Sequence, residues 1–484
     1  IYTWGGIIGV FLAALSFGYH RGGKRAANNA SHSRLVAVFL ATGLYVAGIV
    51  LFGDLIVQST AVLPLPSRFV SLPAITILVG PPTYLLGYVS PYAAELAGGE
   101  VGATAGHVYA LGTVGSIVGA FATTYILVPA LSIPQIGLVL GLSAVVAAVA
   151  VAAPEFADGS GLRVGGVAAA LVLAAAVGGV GPGLAGDTVY STQTAYQELQ
   201  VVDRGDTRTL YLDGQPHSAM DLDDPTRHVF DYTRYFHASL LFTDDADIDR
   251  VLFVGGGGFT GPRIFHEMYP NATVDVVELD PAVIGAADRY FGIPDSPRMN
   301  VHRGDGRRFL TETNRTYDVI VLDAYRKDSV PFQLTTVEFM QQASERLDDD
   351  GVLLANLISA PSGPASEFYR AEYRTMQQVF PRVYSFPTAG GPVVQNIEVV
   401  ATKREGRLTE AELQARNERR NVGIDLSEEL ESYRRDEPTD DVPVLRDDRA
   451  PVDSLLDGMT GQRYVQVRAT EPDDEVGTSG GLNG

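Results

Sequence analysis

The sequence contains no cysteine, which excludes disulfides, thiolate metal sites and cysteine nucleophiles. Lysine is almost as scarce. Lys24, Lys327 and Lys403 are the only three, and the other 33 basic residues are arginine. Against 57 Asp and Glu, the 36 Lys and Arg leave a net charge of -21. An acidic, lysine-poor surface suits a salt-rich cytoplasm, where screening relieves self-repulsion, so a halophilic setting is expected. The same balance argues against a nucleic-acid partner. The five histidines of the second half, at 217, 228, 237, 266 and 302, lack metal-ligand spacing, and no metal is expected. The sequons at Asn271 and Asn314 are read as chance matches. The chain begins at Ile1 rather than Met, as a fragment or a processed product does.

Charge is also missing locally. Residues 1–185 hold six Lys/Arg and five Asp/Glu, whereas residues 186–484 hold 30 and 52. The first part carries apolar spans at about 4–19, 35–56, 69–92, 107–128, 135–153 and 164–185. Each is near the ~20 residues that a crossing needs. A signal peptide explains only one of them. Residues 1–185 are therefore expected to form a transmembrane helical region, embedded in the cell membrane, with Gly, Ala and Val allowing close helix packing. Asp54 is the one acid within a span, so no ion pathway is evident. Arg21, Lys24, Arg25 and Arg34 place the first loop in the cytoplasm. Six crossings then put the second half outside, away from any nucleoside made in the cell. Pro73, Pro81 and Pro82 offer a way out: a re-entrant third span returns the second half to the cytoplasm.

What is present in that second half is a series of strand signals. Residues 186–245 are expected to form a small antiparallel β-domain. Its strands lie near 196–202 and 208–212, its turn at Asp213-Gly214, and a helix runs from about Arg227 to Phe242. Residues 246–403 alternate apolar strands at 251–254, 274–277, 299–302, 318–322, 351–357 and 395–401 with helical stretches. That is the pattern of a doubly wound, Rossmann-like α/β domain of the class I methyltransferase type. Within it, VLFV at 251–254 runs into Gly255-Gly256-Gly257-Gly258, then a helix, then a strand ending in Glu278 and Asp280. Glycines let backbone approach a ligand, and an acid at the next strand end takes ribose hydroxyls. A flexible turn with a solvated acid pair would use the same residues. Further acids stand at two more strand ends, Asp305 and Asp323. Residues 404–484 form a charged extension with helical stretches around 410–418 and 426–435, and 471–484 is expected to be disordered.

Several segments together resemble the spermidine synthase family of aminopropyltransferases, and more closely its membrane-fused members. They are Tyr196-Gln197, LDG at 212–214, VGGG at 254–257, VELD at 277–280, GDG at 304–306 and YDVIVLD at 317–323. DRAPVDSLL at 448–456 matches loosely. The resemblance implies a nucleoside site made of Gln197, Gly255, Gly256, Gly257, Glu278, Asp305 and Gly306. Glu278 takes the ribose hydroxyls, and Asp305 faces the adenine amino group. It implies that Asp323 accepts a proton from the attacking amine, which an ammonium must lose before it can attack the carbon next to a sulfonium. A helix N-cap or turn acid is the plain alternative for Asp323. Tyr232, Arg326 and Asp328 are the candidate substrate contacts. His217 and His237 are placed at the cleft entrance.

Departures from the family fall on the acceptor side. Gly258 stands where the family has Asp, Tyr232-Thr233-Arg234 where it has Tyr-His-Glu, and Arg326 where it has a further acid. Two guanidiniums in place of carboxylates repel a diamine, unless Asp328 folds back or Asp221, Asp223 and Asp224 line the entrance. The expected activity is transfer of an aminopropyl group from decarboxylated S-adenosylmethionine to a small amine or other nucleophile, by a protein whose expected assemblies include a homodimer. The alternatives are a methyltransferase-like enzyme using S-adenosylmethionine itself and a nucleoside-sensing membrane protein.

Overall fold

The computed structural model describes residues 2–61, 63, 65, 67–98, 101–131, 133–152, 160–178, 186–244, 247–327, 329–420 and 422–469. Asp328 and the tail at 471–484 lie outside them. The chain forms two compact units, Ile1–Gly183 and Leu184–Gly484.

The first unit is helical. Helices run over Tyr2–Asn29, His32–Ala61, Ser67–Leu86, Val89–Ala97, Val101–Ala122, Ile133–Ala152 and Ser160–Gly178. Glycines decide how close they come. A Cβ on Gly18 would sit 2.4 Å from the Tyr84 carbonyl oxygen, and one on Gly22 would sit 2.9 Å from Tyr88 Cα. Helices Tyr2–Asn29 and Ser67–Leu86 therefore touch backbone to backbone and run the same way, as small residues permit. Leu40, Ala47, Val145, Ala148, Leu171 and Ala174 form a second packed cluster.

Among the described residues, four stretches are long and apolar enough to cross a membrane: His32–Gly53, Phe69–Ala97, Gly102–Leu127 and Ile133–Ala152. That is fewer than the six expected. The apolar stretch Val164–Ala174 is shorter, residues 179–185 of the expected sixth span lie outside the described residues, and the expected span at 4–19 lies in a helix that is not among the four. Pro73, Pro81 and Pro82 lie inside one helix, Ser67–Leu86, and the chain turns at Gly87-Tyr88 before the helix Val89–Ala97. Pro81 has no N–H for the carbonyl of Ile77, four residues back. The Tyr45 hydroxyl donates to that carbonyl instead, at 2.7 Å.

The second unit opens with an antiparallel sheet in the order β1-β2-β3-β4. The strands are β1 Asp187–Gln193, β2 Glu198–Arg204, β3 Thr207–Leu212 and β4 Gln215–Asp221. In place of the helix expected from Arg227, a 3-10 helix covers Asp231–Leu241. Its three-residue repeat keeps Asp231 and Arg234 on one edge while the other nine residues are buried.

The main sheet follows: β5 Arg250–Val254, β6 Thr273–Glu278, β7 Met299–Arg303, β8 Tyr317–Leu322, β9 Leu347–Ser359, β10 Arg382–Pro387, β11 Val394–Thr402 and β12 Tyr464–Val465. Their order is β10-β11-β9-β8-β5-β6-β7, with β12 beside β11. Pairs among β5 to β9 are parallel, while β11 is antiparallel to both β9 and β10. The expected doubly wound sheet is thus present, with an antiparallel edge. Val251 and Phe253 enter one core cluster, and Leu252 and Val254 enter the other. Both faces are covered, which is why VLFV is apolar without alternation. The charged extension also feeds this core, through Leu413, Leu426 and Leu430 on one face and Leu445, Val452 and Met459 on the other.

Candidate active site

The chain runs β5, β6, β7 in one direction and returns to β8 on the other side of β5. The crevice at the carboxyl ends of β5 and β8 is therefore the topological switch point, where open α/β sheets take ligands. Gly255 leaves β5 at φ 101°, and a Cβ there would lie 2.3 Å from the Asp323 carbonyl oxygen. Only glycine lets the loop pass this close to the end of β8. The Asp323 amide donates to the Val254 carbonyl at 2.9 Å and locks the two strand ends together.

Glu278, at the end of β6, reaches back under the same loop. Its carboxylate accepts from the amides of Gly256 at 2.9 Å, Gly257 at 3.4 Å and Asp280 at 2.9 Å. Burial raises its proton affinity, and those three amides oppose the rise. The Gly258 amide donates to Ser218 Oγ at 2.8 Å. A Cβ on Gly258 would stand 2.8 Å from Ser218 Cβ and 3.2 Å from Phe291. The aspartate that the family carries there has no room while β4 packs against this loop. Asp305 caps the helix Gly306–Glu312, accepting from the Arg308 amide at 2.8 Å. Gly306 is pressed on β5: its Cβ would meet Val254 Cγ1 at 2.4 Å. Asp280 caps its own helix and keeps a buried Oδ2 with no partner among the described residues.

Beside the glycine loop lies a cavity of about 280 Å³. Gly257, Asp323, Tyr232, Arg326 and His217 line it, together with Asn356, Asn396 and Tyr464. Sequence reading missed the last three. They form a hydrogen-bonded row across the sheet. Tyr464 Oη donates to Asn396 at 2.6 Å, Asn396 Nδ2 to Asn356 at 2.8 Å, and Asn356 Nδ2 to Asp323 Oδ1 at 2.8 Å. Burial pushes the Asp323 carboxyl up to about 6. The Asn356 bond opposes that rise, and the Glu278 charge adds to it. Glu398 stands opposite Asn356 in the β9–β11 pairing. It is fully buried, and neither carboxyl oxygen has a partner among the described residues. Burial, then the charge of Asp323, holds its proton affinity well above the usual carboxylate range. Polar residues within the apolar β9 and β11 were the signal available in the sequence.

Other candidates fall less simply. Arg326 donates to Asp213 at 2.6 Å and to Gln197 at 3.1 Å, so Gln197 meets the cavity through that arginine. The Tyr232 hydroxyl is spent on the His217 carbonyl at 3.0 Å. His217 is held near 4 by burial and by Arg326, so it is uncharged at neutral pH. Three expectations are corrected. Arg234 does not face the cavity; it pairs with Glu429 and donates to the Asp425 carbonyl at 2.7 Å, because the 3-10 helix turns its exposed edge outward. His237 is a core residue, bonded to Tyr269 at 2.6 Å and to His228 at 3.2 Å. Asp221 pairs with Arg227 and holds the amides of Asp223 and Asp224, so it caps a turn, and none of these three acids lines the cavity. Asp328 lies outside the described residues. Among the described residues, no group of three or more potential ligands could hold a metal.

Residues 230–398 match the spermine/spermidine synthase domain. A polyamine aminopropyltransferase of Vibrio vulnificus is 33% identical over 206 residues, covering 41% of this chain and 67% of that protein. An eEF1A lysine and N-terminal methyltransferase of Mus musculus is 35% identical over 118 residues, 22% of this chain and 17% of that protein. A probable spermidine synthase from Corynebacterium glutamicum superposes with a TM-score of 0.45 at 22% identity, over 53% of this chain and 96% of that one. The sequence motifs, the switch-point crevice and the Vibrio relative agree: this chain belongs to the spermine/spermidine synthase family.

Proposed function

We propose that the protein is a membrane-anchored aminopropyltransferase acting on decarboxylated S-adenosylmethionine and a small amine. One observation carries this reading: Asp323, raised to about 6, stands at the switch point between a glycine loop and a cavity on which Asn356 and Asn396 also open. A carboxylate of that affinity holds the amine's proton better than an exposed one does, yet is ionised at neutral pH. The amine, freed of its proton, bonds to the carbon next to sulfur. The carbon–sulfur bond breaks, its electron pair stays on sulfur, and a neutral thioether departs. Glu278 is the ribose contact, Gly255 to Gly257 pass under the sulfonium, and Asp305 with Gly306 borders the adenine. The case against a diamine acceptor weakens, because Arg234 faces away and Arg326 is neutralised by Asp213. The four apolar stretches supply the anchor. The test is product formation by the purified full chain from decarboxylated donor and putrescine. Asp323→Asn is expected to lower kcat at least about a hundredfold; an unchanged rate removes Asp323 from the reaction.

A second reading rests on Arg326, a cation on the cavity wall. A donor that keeps its carboxylate could exchange Asp213 for itself as the partner of that guanidinium. Calorimetry with both donors separates the readings: tighter binding of S-adenosylmethionine, lost in Arg326→Gln, favours methyl transfer.

A further inference from the structure

In the helical unit, a groove of about 800 Å³ runs between helices Tyr2–Asn29 and Ser67–Leu86. Its floor is mainly apolar, made by Ala14, Phe17, Gly80 and Pro81 with Thr76 and Tyr84 beside them. Its mouth carries His20, Arg21 and Lys24. The spacing 14, 17, 21, 24 keeps one face of the first helix along the groove for three turns. Close contact of Gly18 with Tyr84, and of Gly6 with Leu72, fixes the two helices side by side and leaves this trough open beside them. The mouth is cationic, and no Asp or Glu lines the groove among the described residues. Asp54 and Glu95 are the only acids among residues 1–98, and neither lines the groove.

An apolar trough ending in clustered cations matches an amphiphile with an anionic head, and where the helices cross a membrane the lipid leaflet supplies that chemistry. We propose that this groove is a binding site for one anionic phospholipid. The phosphate sits against Arg21 and Lys24, and an acyl chain lies over Phe17 and Gly80. The site rests on the membrane reading of the first unit. By the positive-inside rule it opens to the cytoplasmic leaflet, which is where anionic headgroups bind basic residues.

The test uses the full chain purified in detergent, with phosphatidylglycerol and phosphatidylcholine of equal acyl length as probes, and bound lipid counted by native mass spectrometry. Phosphatidylglycerol is expected to bind roughly tenfold tighter than phosphatidylcholine. The preference should vanish in Arg21→Gln/Lys24→Gln and weaken in raised salt. Gly80→Leu, which fills the floor and leaves the charges, should lower binding of both lipids. Glycerol phosphate alone should not compete; if it does, the site is a phosphate site and the acyl part of the proposal falls. Equal affinity for the two lipids, or a preference unchanged in the double variant, overturns the site. A chain that stays monodisperse without detergent or lipid overturns the membrane reading as well, so the two failures are told apart.

Discussion

Asp323 is governed by its neighbours more than by its own chemistry. Burial raises it to about 6, and the Asn356 amide opposes the rise by donating to the ionised form. As a proton acceptor it works only when ionised, so kcat/KM should climb with pH through about 6 and level off above. Asn356→Ala removes the donor, so the carboxyl rises further and the acid limb moves to higher pH, by about one unit for one charge-assisted bond. Tyr464→Phe cuts the far end of the row and should move the limb the same way, by less. An unmoved limb in Asn356→Ala would mean that the amide row only packs. Glu278 makes a separate prediction. Its three backbone bonds hold it in place before any ligand arrives, so Glu278→Ala should weaken donor binding at least about tenfold, as loss of a ribose contact does. Calorimetry on the folded variant decides it, and unchanged affinity would detach Glu278 from the donor.

Among the elements, helix Ser67–Leu86 and helix Ser160–Gly178 decide topology. The first keeps its course through three prolines, and we propose an orientation in which Phe69–Ala97 crosses and the second unit faces the cytoplasm. From the basic segment at 21–34, the four long apolar stretches return the chain to its starting side. Val164–Ala174 is a shorter apolar stretch within the helix Ser160–Gly178, and the orientation we propose counts it as non-crossing. No re-entrant segment is then needed to keep the second unit in the cytoplasm. Reporter fusions after residues 62 and 98 should sit on opposite sides, and fusions after 156 and 186 on the same side. A split result for the second pair would place the catalytic unit outside and remove its access to a donor made within.

Across the whole second unit, buried carboxyls set the response to pH. Glu398 and Glu372 are fully buried, with proton affinity well above the ordinary glutamate value of 4.5, burial being the first cause for both. The folded state keeps their protons while the unfolded chain releases them above about 4.5. The unfolded state thus binds fewer protons, and stability falls as pH rises from there. Their contribution is full below that value and is lost toward the folded-state affinity. Glu398→Gln, which keeps the shape and cannot ionise, should flatten the slope and raise Tm at pH 8 more than at pH 5. Thermal unfolding of the full chain in detergent at the two pH values checks this, and equal slopes would show that Glu398 titrates normally.

The sequence by itself determined what is local. Runs such as VLFV, the four glycines, and the acids at strand ends declare strands, a loop and their order, because two-sided burial and backbone conformation act over a few neighbouring residues. From these came the doubly wound sheet, the loop at Gly255 and the placing of Glu278 and Asp323. The tertiary structure alone decided which side chains meet. Asn356, Asn396 and Glu398 hide inside apolar strands, and the bond between the two asparagines, like the place of Glu398 beside Asn356, exists only because β9 and β11 pair antiparallel in one register. Tyr464 joins them from 141 positions beyond Asp323, because β12 adds to β11 at Val394 and Gln395. Arg234 resembled a cavity cation in the sequence, but three residues per turn sent it to Glu429. Strand registry and helix pitch are settled by contacts far apart in the chain, and no local pattern encodes them.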